Sequence, residues 1–403
     1  MDKKTIDYKL LFAVYLLVIF GMVMISSVSV YSSYTFTNQE ENSYFLVRNI
    51  AHILISTVLL FAIVKLDYKK LVKFSPVVMW MWILSLISVL LFWKIINWAR
   101  WWLDIPILPF AIQPAEFVKV WVIIFLAYLF WRKIKNAWDF KYWFLPYIVT
   151  MFLVLWLIWM QPDFGSILVI APVSWIIFFV AWGNFKHLLL LIASWILLLV
   201  WVYNAWKYDP SAWEERPAFW YIYDRFNSFL WTEEDETKKS DIQYQQDQAV
   251  IAIWTWWLSW VWFWNSVQKF WYIPEVQWDF IYSVYIEELG FVWGLFLLFM
   301  YFYIAFRGLQ IYRYSKDDFA RYYAIWVSSR ILLQAFVNIS VNLKLLPNTG
   351  ITLPFISYWG SSLMSLMIAV WFLLSISKNT ENTPVSLNRK GRGSIDTSVF
   401  MIR

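Results

Sequence analysis

An aspartate placed where a polar stretch gives way to an apolar run is the first residue of this chain with chemistry to offer. Asp279 ends the stretch that begins at Asn265 and holds Lys269 and Glu275, and it opens a run to Gly290 that contains Glu287 and Glu288. A carboxylate at the mouth of a membrane span is costly to keep, so it asks for a reason. Spacing alone leaves two reasons open: a general base that takes a proton from an attacking hydroxyl, or a cap on the helix that follows. Glu275, four residues earlier, shares a face with Asp279 if that turn is helical, and reads nearly as well as an exposed loop carboxylate. Glu116 and Lys119, three apart in an apolar segment, pair across one helix face; the pair either lines a substrate cavity or is purely structural. Asp163, just ahead of another apolar run, reads first as a helix cap. Glu287 and Glu288 lie too deep to be idle, and at least one is expected to face the bundle interior.

The elements that must position these residues are membrane helices. Of the 403 residues, 61% are hydrophobic and 15% charged, too apolar for a soluble globule of ordinary composition. A span takes about 20 apolar residues, and the sequence predicts ten, over 8–31, 50–64, 76–92, 114–131, 142–160, 165–182, 188–205, 280–307, 322–341 and 353–376. The expected architecture is an all-α polytopic membrane domain over 1–377, with one long loop, 206–279, between the seventh and eighth spans. A basic tail, 378–403, is expected to be disordered. Lys and Arg cluster at the amino terminus, after the second and fourth spans, at Lys186, at Arg307, Arg313 and Arg321, and in the tail. The positive-inside rule therefore puts both termini in the cytoplasm and the long loop, with Asp279, outside. The net charge of +6 reflects these anchors and points to no nucleic acid. Cysteine is absent, which removes disulfides and thiolate chemistry. Two histidines, His52 and His187, do not make a multi-histidine metal site. The first apolar run reads as a full span without a small-residue cleavage site, so no cleaved signal peptide is expected.

Several short motifs stand in order along these segments: Asn97-Trp98-Ala99-Arg100, Gln113-Pro114-Ala115-Glu116-Phe117, Gln161-Pro162-Asp163-Phe164-Gly165, Pro274-Glu275 through Asp279-Phe280-Ile281, Glu287-Glu288-Leu289-Gly290, and Pro354-Phe355-Ile356-Ser357-Tyr358-Trp359-Gly360-Ser361-Ser362. Together they resemble the SEDS family (shape, elongation, division and sporulation), the ten-span peptidoglycan polymerases, from the first span to Ser377. Asn265-Ser266-Val267-Gln268-Lys269 with Tyr272-Ile273-Pro274-Glu275, and Leu345 to Gly350, are closer to the division branch, FtsW, than to the elongation branch, RodA. Asn348 stands where division relatives often carry Lys.

The resemblance implies glycosyl transfer on lipid II at the outer face of the bacterial cytoplasmic membrane, at the division septum. A sugar hydroxyl attacks an anomeric carbon and undecaprenyl pyrophosphate leaves, so a base and pyrophosphate-holding cations are needed. Asp279 matches the family's catalytic aspartate. Arg100, Arg225 and Lys269 are the candidate pyrophosphate cations, each also readable as a headgroup anchor, with Arg100 favoured because it sits in a matched motif. Glu116, Lys119, Glu275, Ser357 and Ser361 complete the substrate-binding candidates. No metal ligand set is assigned, although the outer carboxylates leave room for a divalent cation, Mg²⁺ or Mn²⁺. A class B penicillin-binding transpeptidase and other divisome proteins are the implied partners. Other readings of the same residues are a lipid II transporter, a non-catalytic scaffold and the elongation paralogue.

One composition figure stands apart: 32 Trp against 10 Gly, where Gly is normally frequent in membrane helices. Trp occupies positions at which the family carries Gly, namely Trp98, Trp182, Trp254, Trp256, Trp257, Trp260, Trp262, Trp264, Trp293, Trp326 and Trp359. A loop such as Ser357–Gly360 relies on small residues for close backbone approach. The pattern is that of UGA codons read as tryptophan where the source reads glycine. An interfacial aromatic belt or a sugar-stacking surface is the competing reading of the same rings.

Overall fold

The computed structural model describes residues 5–64, 68–92, 102–103, 111–132, 144–182, 189, 192–193, 197, 200, 220–230, 241–255, 260–270, 273 and 276–380. Among the described residues there is no strand, only isolated bridges that pair Leu103 with Ile112 and Ser315 with Thr380. The helices are α1 (Tyr8–Phe36), α2 (Tyr44–Val64), α3 (Tyr68–Lys73), α4 (Ser75–Phe92), α5 (Pro114–Arg132), α6 (Phe144–Trp159) and α7 (Phe164–Trp182), then α8 (Trp220–Leu230), α9 (Asp241–Thr255), α10 (Ile281–Leu289), α11 (Phe291–Tyr314), α12 (Asp318–Asn342) and α13 (Gly360–Ser377). Seven of these, α1, α2, α5, α7, α11, α12 and α13, are long and apolar enough to cross a membrane, and α4 and α6 are shorter apolar helices. The protein is an all-α polytopic membrane protein. Most of the expected seventh span, much of the long loop and the tail from 381 lie outside the described residues.

Two long buried helices, α12 and α13, form the middle of the bundle, and α13 is buried along almost its whole length. Helix α12 packs on α5, α7, α11 and α13, and α13 packs on α2 and α5. Capping fixes the end of the bundle away from Asp279. The Asp7 carboxylate accepts from the Leu10 amide at 3.0 Å, satisfying an orphan donor of α1. It also accepts from Arg307 Nε at 3.0 Å and Nη2 at 2.6 Å, while the Asp7 amide donates to Ser377 Oγ at 3.0 Å. One residue thereby ties α1, α11 and α13 together, through its carboxylate and its backbone amide.

Two expected spans are corrected. The apolar run from 280 is two helices: α10, nine residues and almost wholly buried, and then the spanning helix α11. The break is Gly290, at φ 84° and ψ 173°, backbone that essentially only glycine adopts. The last span starts at Gly360 and not near 353, because Leu353–Tyr358 is a loop buried in the bundle. Its apolar side chains answer to that burial and not to a helical face.

Replacing Gly290 with Ala forces this backbone on a residue with a β-carbon, which would also meet a Trp260 ring carbon at 3.2 Å. The variant should lose about 1–3 kcal/mol of stability, read as a lower thermal unfolding midpoint in detergent. An unchanged midpoint would show that the break does not depend on glycine.

Candidate functional site

One face of α12 builds the site. Arg330, Gln334, Asn338 and Asn342 are spaced four apart and therefore stack on one side of the helix. All are buried, so each polar group must find a partner inside the protein. Gln334 Nε2 donates to the Thr352 carbonyl at 3.1 Å and to its hydroxyl at 3.2 Å. Asn338 Nδ2 donates to the carbonyls of Ile351 (2.7 Å) and Asp279 (2.8 Å). Asn342 Nδ2 reaches the same Asp279 carbonyl at 2.9 Å, and its Oδ1 accepts from the Ser283 amide at 3.1 Å. Two asparagines thus hold the backbone of Asp279 while its side chain stays half-buried. Helix α10 is capped at Phe280 without a side-chain hydrogen bond, so Asp279 does not occupy its cap position.

Beside Asp279 stands Arg225, carried in by α8. A β-carbon added to Gly350 would lie 3.6 Å from Arg225 Nη1 and 3.7 Å from Asp279 Oδ2, so the cation and the carboxylate flank this one glycine. Gly350 has φ 67°, a left-handed conformation that glycine adopts without strain. Arg225 Nη1 donates to the Asn348 carbonyl at 2.8 Å. Burial pushes the Arg225 guanidinium down to about 10, and the negative charges of Asp279 and Asp163 pull it back, so it remains charged at neutral pH. Arg225 lines a small cleft, partly open to solvent, whose other walls include Glu116, Lys119, Asp163, Gly350 and Trp359.

Asp163 does cap α7: its carboxylate accepts from the Ser166 amide (2.9 Å) and hydroxyl (2.6 Å). It also accepts from Gln113 Nε2 at 3.2 Å and faces the cleft, so the cap is part of the site as well. Glu116 and Lys119 pair as expected, at 2.6 Å, on the cleft wall. Ser361 and Ser357 are buried and hold backbone: Ser361 Oγ accepts from the Gln113 amide at 3.0 Å, and Ser357 Oγ from the Leu353 amide at 2.8 Å. Ser361 thereby anchors Gln113, a residue of the cleft wall, while Ser357 ties its own loop. Arg100 and Glu275 lie outside the described residues.

Lys269 is in a different place from the cleft. It is buried, ion-paired to Glu288 at 2.9 Å, and donates to Ser27 Oγ (2.8 Å) and to the Trp264 carbonyl (2.6 Å). With its three protons committed, the ammonium serves the loop fold and not an anion. Glu287 accepts from Ser266 Oγ at 2.5 Å and from the Val267 amide at 3.0 Å. Both carboxylates of α10 therefore face inward and clamp residues 264–269 onto the bundle.

Gln113, Arg330, Gln334, Asn338 and Asn342 join the site without having been expected from the sequence. The signal that finds the last four is a polar residue at every fourth position of an apolar helix. Chemically, the arrangement offers a carboxylate placed to accept a proton, a neighbouring guanidinium to hold negative charge, and a second cation, Lys119, on the cleft wall. Among the described residues no group of three or more His, Cys, Asp or Glu is placed to hold a metal ion.

A sequence profile described as "Cell cycle protein" and named for FtsW, RodA and SpoVE matches residues 8–382. The stage V sporulation protein E of Bacillus subtilis is 30% identical over 383 residues, covering 93% of this chain and 98% of the relative. A Bacillus subtilis protein named as a probable peptidoglycan glycosyltransferase FtsW is 32% identical over 387 residues, covering 94% and 93%. Among solved structures, a chain from work on the coordination of polymerization and crosslinking by a peptidoglycan synthase complex shares the fold, with TM-score 0.73, 24% identity and coverage of 94% and 99%. The rod shape determining protein RodA of Thermus thermophilus shares it at TM-score 0.64, 20% identity and coverage of 94% and 98%.

If Lys269 is structural, Lys269→Met leaves Glu288 as an unpaired buried charge and costs about 3–5 kcal/mol. The double variant Lys269→Met, Glu288→Met should recover most of that loss in thermal unfolding. A single variant as stable as the unaltered protein would return Lys269 to the list of ligand-binding cations.

Proposed function

Because the chain belongs to the FtsW/RodA/SpoVE family of cell cycle proteins, we propose that it is a peptidoglycan glycosyltransferase that polymerises lipid II at the outer face of the bacterial cytoplasmic membrane. The observation that carries the reading is the juxtaposition of Asp279 and Arg225 across Gly350 at the edge of a polar cleft. Asp279 acts as the general base. It takes the proton of the sugar hydroxyl as that oxygen bonds to the anomeric carbon of the second glycan, and the bond from that carbon to undecaprenyl pyrophosphate breaks. Arg225 and Lys119 stabilise the negative charge that gathers on the departing pyrophosphate. Arg100 and Glu275 are further ligands by motif. Mg²⁺ or Mn²⁺ accompanying the pyrophosphate is compatible with this scheme, but the described residues give such an ion no three-ligand site, and the base and the cations named above carry the proposed steps.

Similarity to division-branch relatives, at 32% identity for the Bacillus subtilis protein, supports a role in septal wall synthesis, and the basic clusters along the chain support cytoplasmic termini. A class B penicillin-binding transpeptidase is the proposed partner, since a structural relative comes from a synthase complex that couples polymerization to crosslinking. Purified protein given lipid II should make glycan polymer. Asp279→Ala should reduce the rate by about 10²-fold or more with an unchanged unfolding midpoint, and Arg225→Met should lower it as well. Polymer made at full rate by Asp279→Ala would remove this residue from the mechanism.

The tryptophans at family glycine positions belong to the same reading. Trp262 and Trp264 have φ of 74° and 76°, a region uncommon for any bulky side chain. Trp326 is 1% exposed, with an indole N–H that has no partner, a costly burial. Trp359 forms a wall of the cleft, tilted against Trp102 and edge-on to Trp278, and donates to Gln113 Oε1 at 2.8 Å. Glycine at these positions relieves the strain and widens the cleft. The gene should carry UGA at them, and peptides of the protein made in its own cells should have glycine masses there; UGG codons would sink the idea.

A further inference from the structure

At the floor of the cleft the charges do not balance. Glu116 Oε1 holds Lys119 Nζ at 2.6 Å, while Glu116 Oε2 lies 3.4 Å from Nη2 of Arg330, which also donates to Ser365 Oγ at 3.0 Å. Two cations share one carboxylate, leaving a surplus unit of positive charge. Arg330 is 0% exposed, and its Nε and Nη1 have no hydrogen-bond partner. Sequestering a third charge in a buried pair that is already neutral is expensive, so Arg330 asks for a purpose. Near Arg225 the bias is opposite: Asp163 lines the cleft there, Asp279 stands by Gly350 beside it, and the negative charges of both act on the guanidinium. The cleft is thus positive at its floor and negative where the base sits.

Of the three floor residues, Glu116 and Lys119 line the cleft and Arg330 stands behind them. We propose that Arg330 is a positioning residue for the pyrophosphate: by taking the second oxygen of Glu116 it offsets that carboxylate, so that the Lys119 ammonium presents an uncompensated charge to the cleft. Without Arg330, Glu116 and Lys119 form a self-neutralised pair with little to offer an anion. With it, the polyprenyl pyrophosphate group is drawn to the floor and the attacking hydroxyl is left beside Asp279. The inference rests on the lipid II reading for its ligand, and it concerns binding, separately from turnover.

The test measures binding of undecaprenyl pyrophosphate and of the neutral alcohol undecaprenol to the full chain in nanodiscs. Arg330→Met should weaken undecaprenyl pyrophosphate by about tenfold or more and leave undecaprenol unchanged, and Arg330→Lys should retain most of the affinity. The double variant Arg330→Met, Glu116→Gln removes the carboxylate together with its second cation, restores the surplus charge on Lys119, and should recover binding. It also serves where the single variant does not fold. Equal weakening of both lipids, or no recovery in the folded double variant, overturns the proposal, as does Arg330→Met that binds the pyrophosphate like the unaltered protein. An unaltered protein that binds neither lipid and makes no polymer overturns the underlying reading instead.

Discussion

A row of polar side chains on a helix in the middle of a membrane bundle can only be kept if other elements come to meet it. Water is absent there, and an unmet donor costs roughly 1–3 kcal/mol. Helix α12 carries four such residues on one face, and all four are met by other parts of the chain. Arg330 is met by Glu116 of α5 and Ser365 of α13, Gln334 by Thr352, Asn338 by Ile351 and Asp279, and Asn342 by Asp279 and the start of α10. The bonds set the height of α5, α13, α10 and the loop 349–352 relative to α12. They place the floor of the cleft and its carboxylate edge on one ruler.

The same constraint works a second time at the far end of α10. Glu287 and Glu288 cannot stay buried alone, so they pull in Ser266, the Val267 amide and Lys269 from the loop above. Helix α10 is therefore held at both ends, by asparagines next to Asp279 and by the loop clamp at Glu287 and Glu288. Its nine residues leave little slack between the two. A carboxylate whose backbone is fixed in this way while its side chain remains half-exposed is held in place yet reachable from solvent.

Most of the helices were legible in the sequence because their signal, a long apolar run, is local. The boundaries that failed did so where burial and helicity part company. Leu353–Tyr358 is apolar because the bundle encloses it, and the run at 280 is interrupted by one glycine whose φ no hydropathy pattern reports. The Glu116–Lys119 pair was readable because its partners are three residues apart. Lys269 was not, since its partners Ser27 and Glu288 are 242 and 19 residues away. Arg225 could not be picked out among the loop cations for the same reason, as the carbonyl that orients it is 123 residues distant. Asp163 was legible as a cap, but its second role depends on Gln113, 50 residues before it. The α12 ladder was within reach of sequence, since period four is a local pattern; single polar residues in a span become informative when they are taken together.

Close approach is the remaining requirement, and it explains why small residues matter more here than charge count. Arg225 and Asp279 both lie beside Gly350, whose left-handed φ of 67° favours glycine, and the loop carrying it lies so near α7 that a β-carbon on Gly165 would come within 2.6 Å of the Thr349 carbonyl. A ring at 359 works against this economy of space. Trp359 spans from Gln113 to Trp102 and Trp278 and takes up part of the cleft wall. With glycine there, Gln113 would keep its bond to Asp163 and exchange the indole for solvent or a sugar hydroxyl, and the cleft would open without moving any charged group. The electrostatics of the site depend on residues that do not change between the two readings of the codon. Its capacity depends on the one that does.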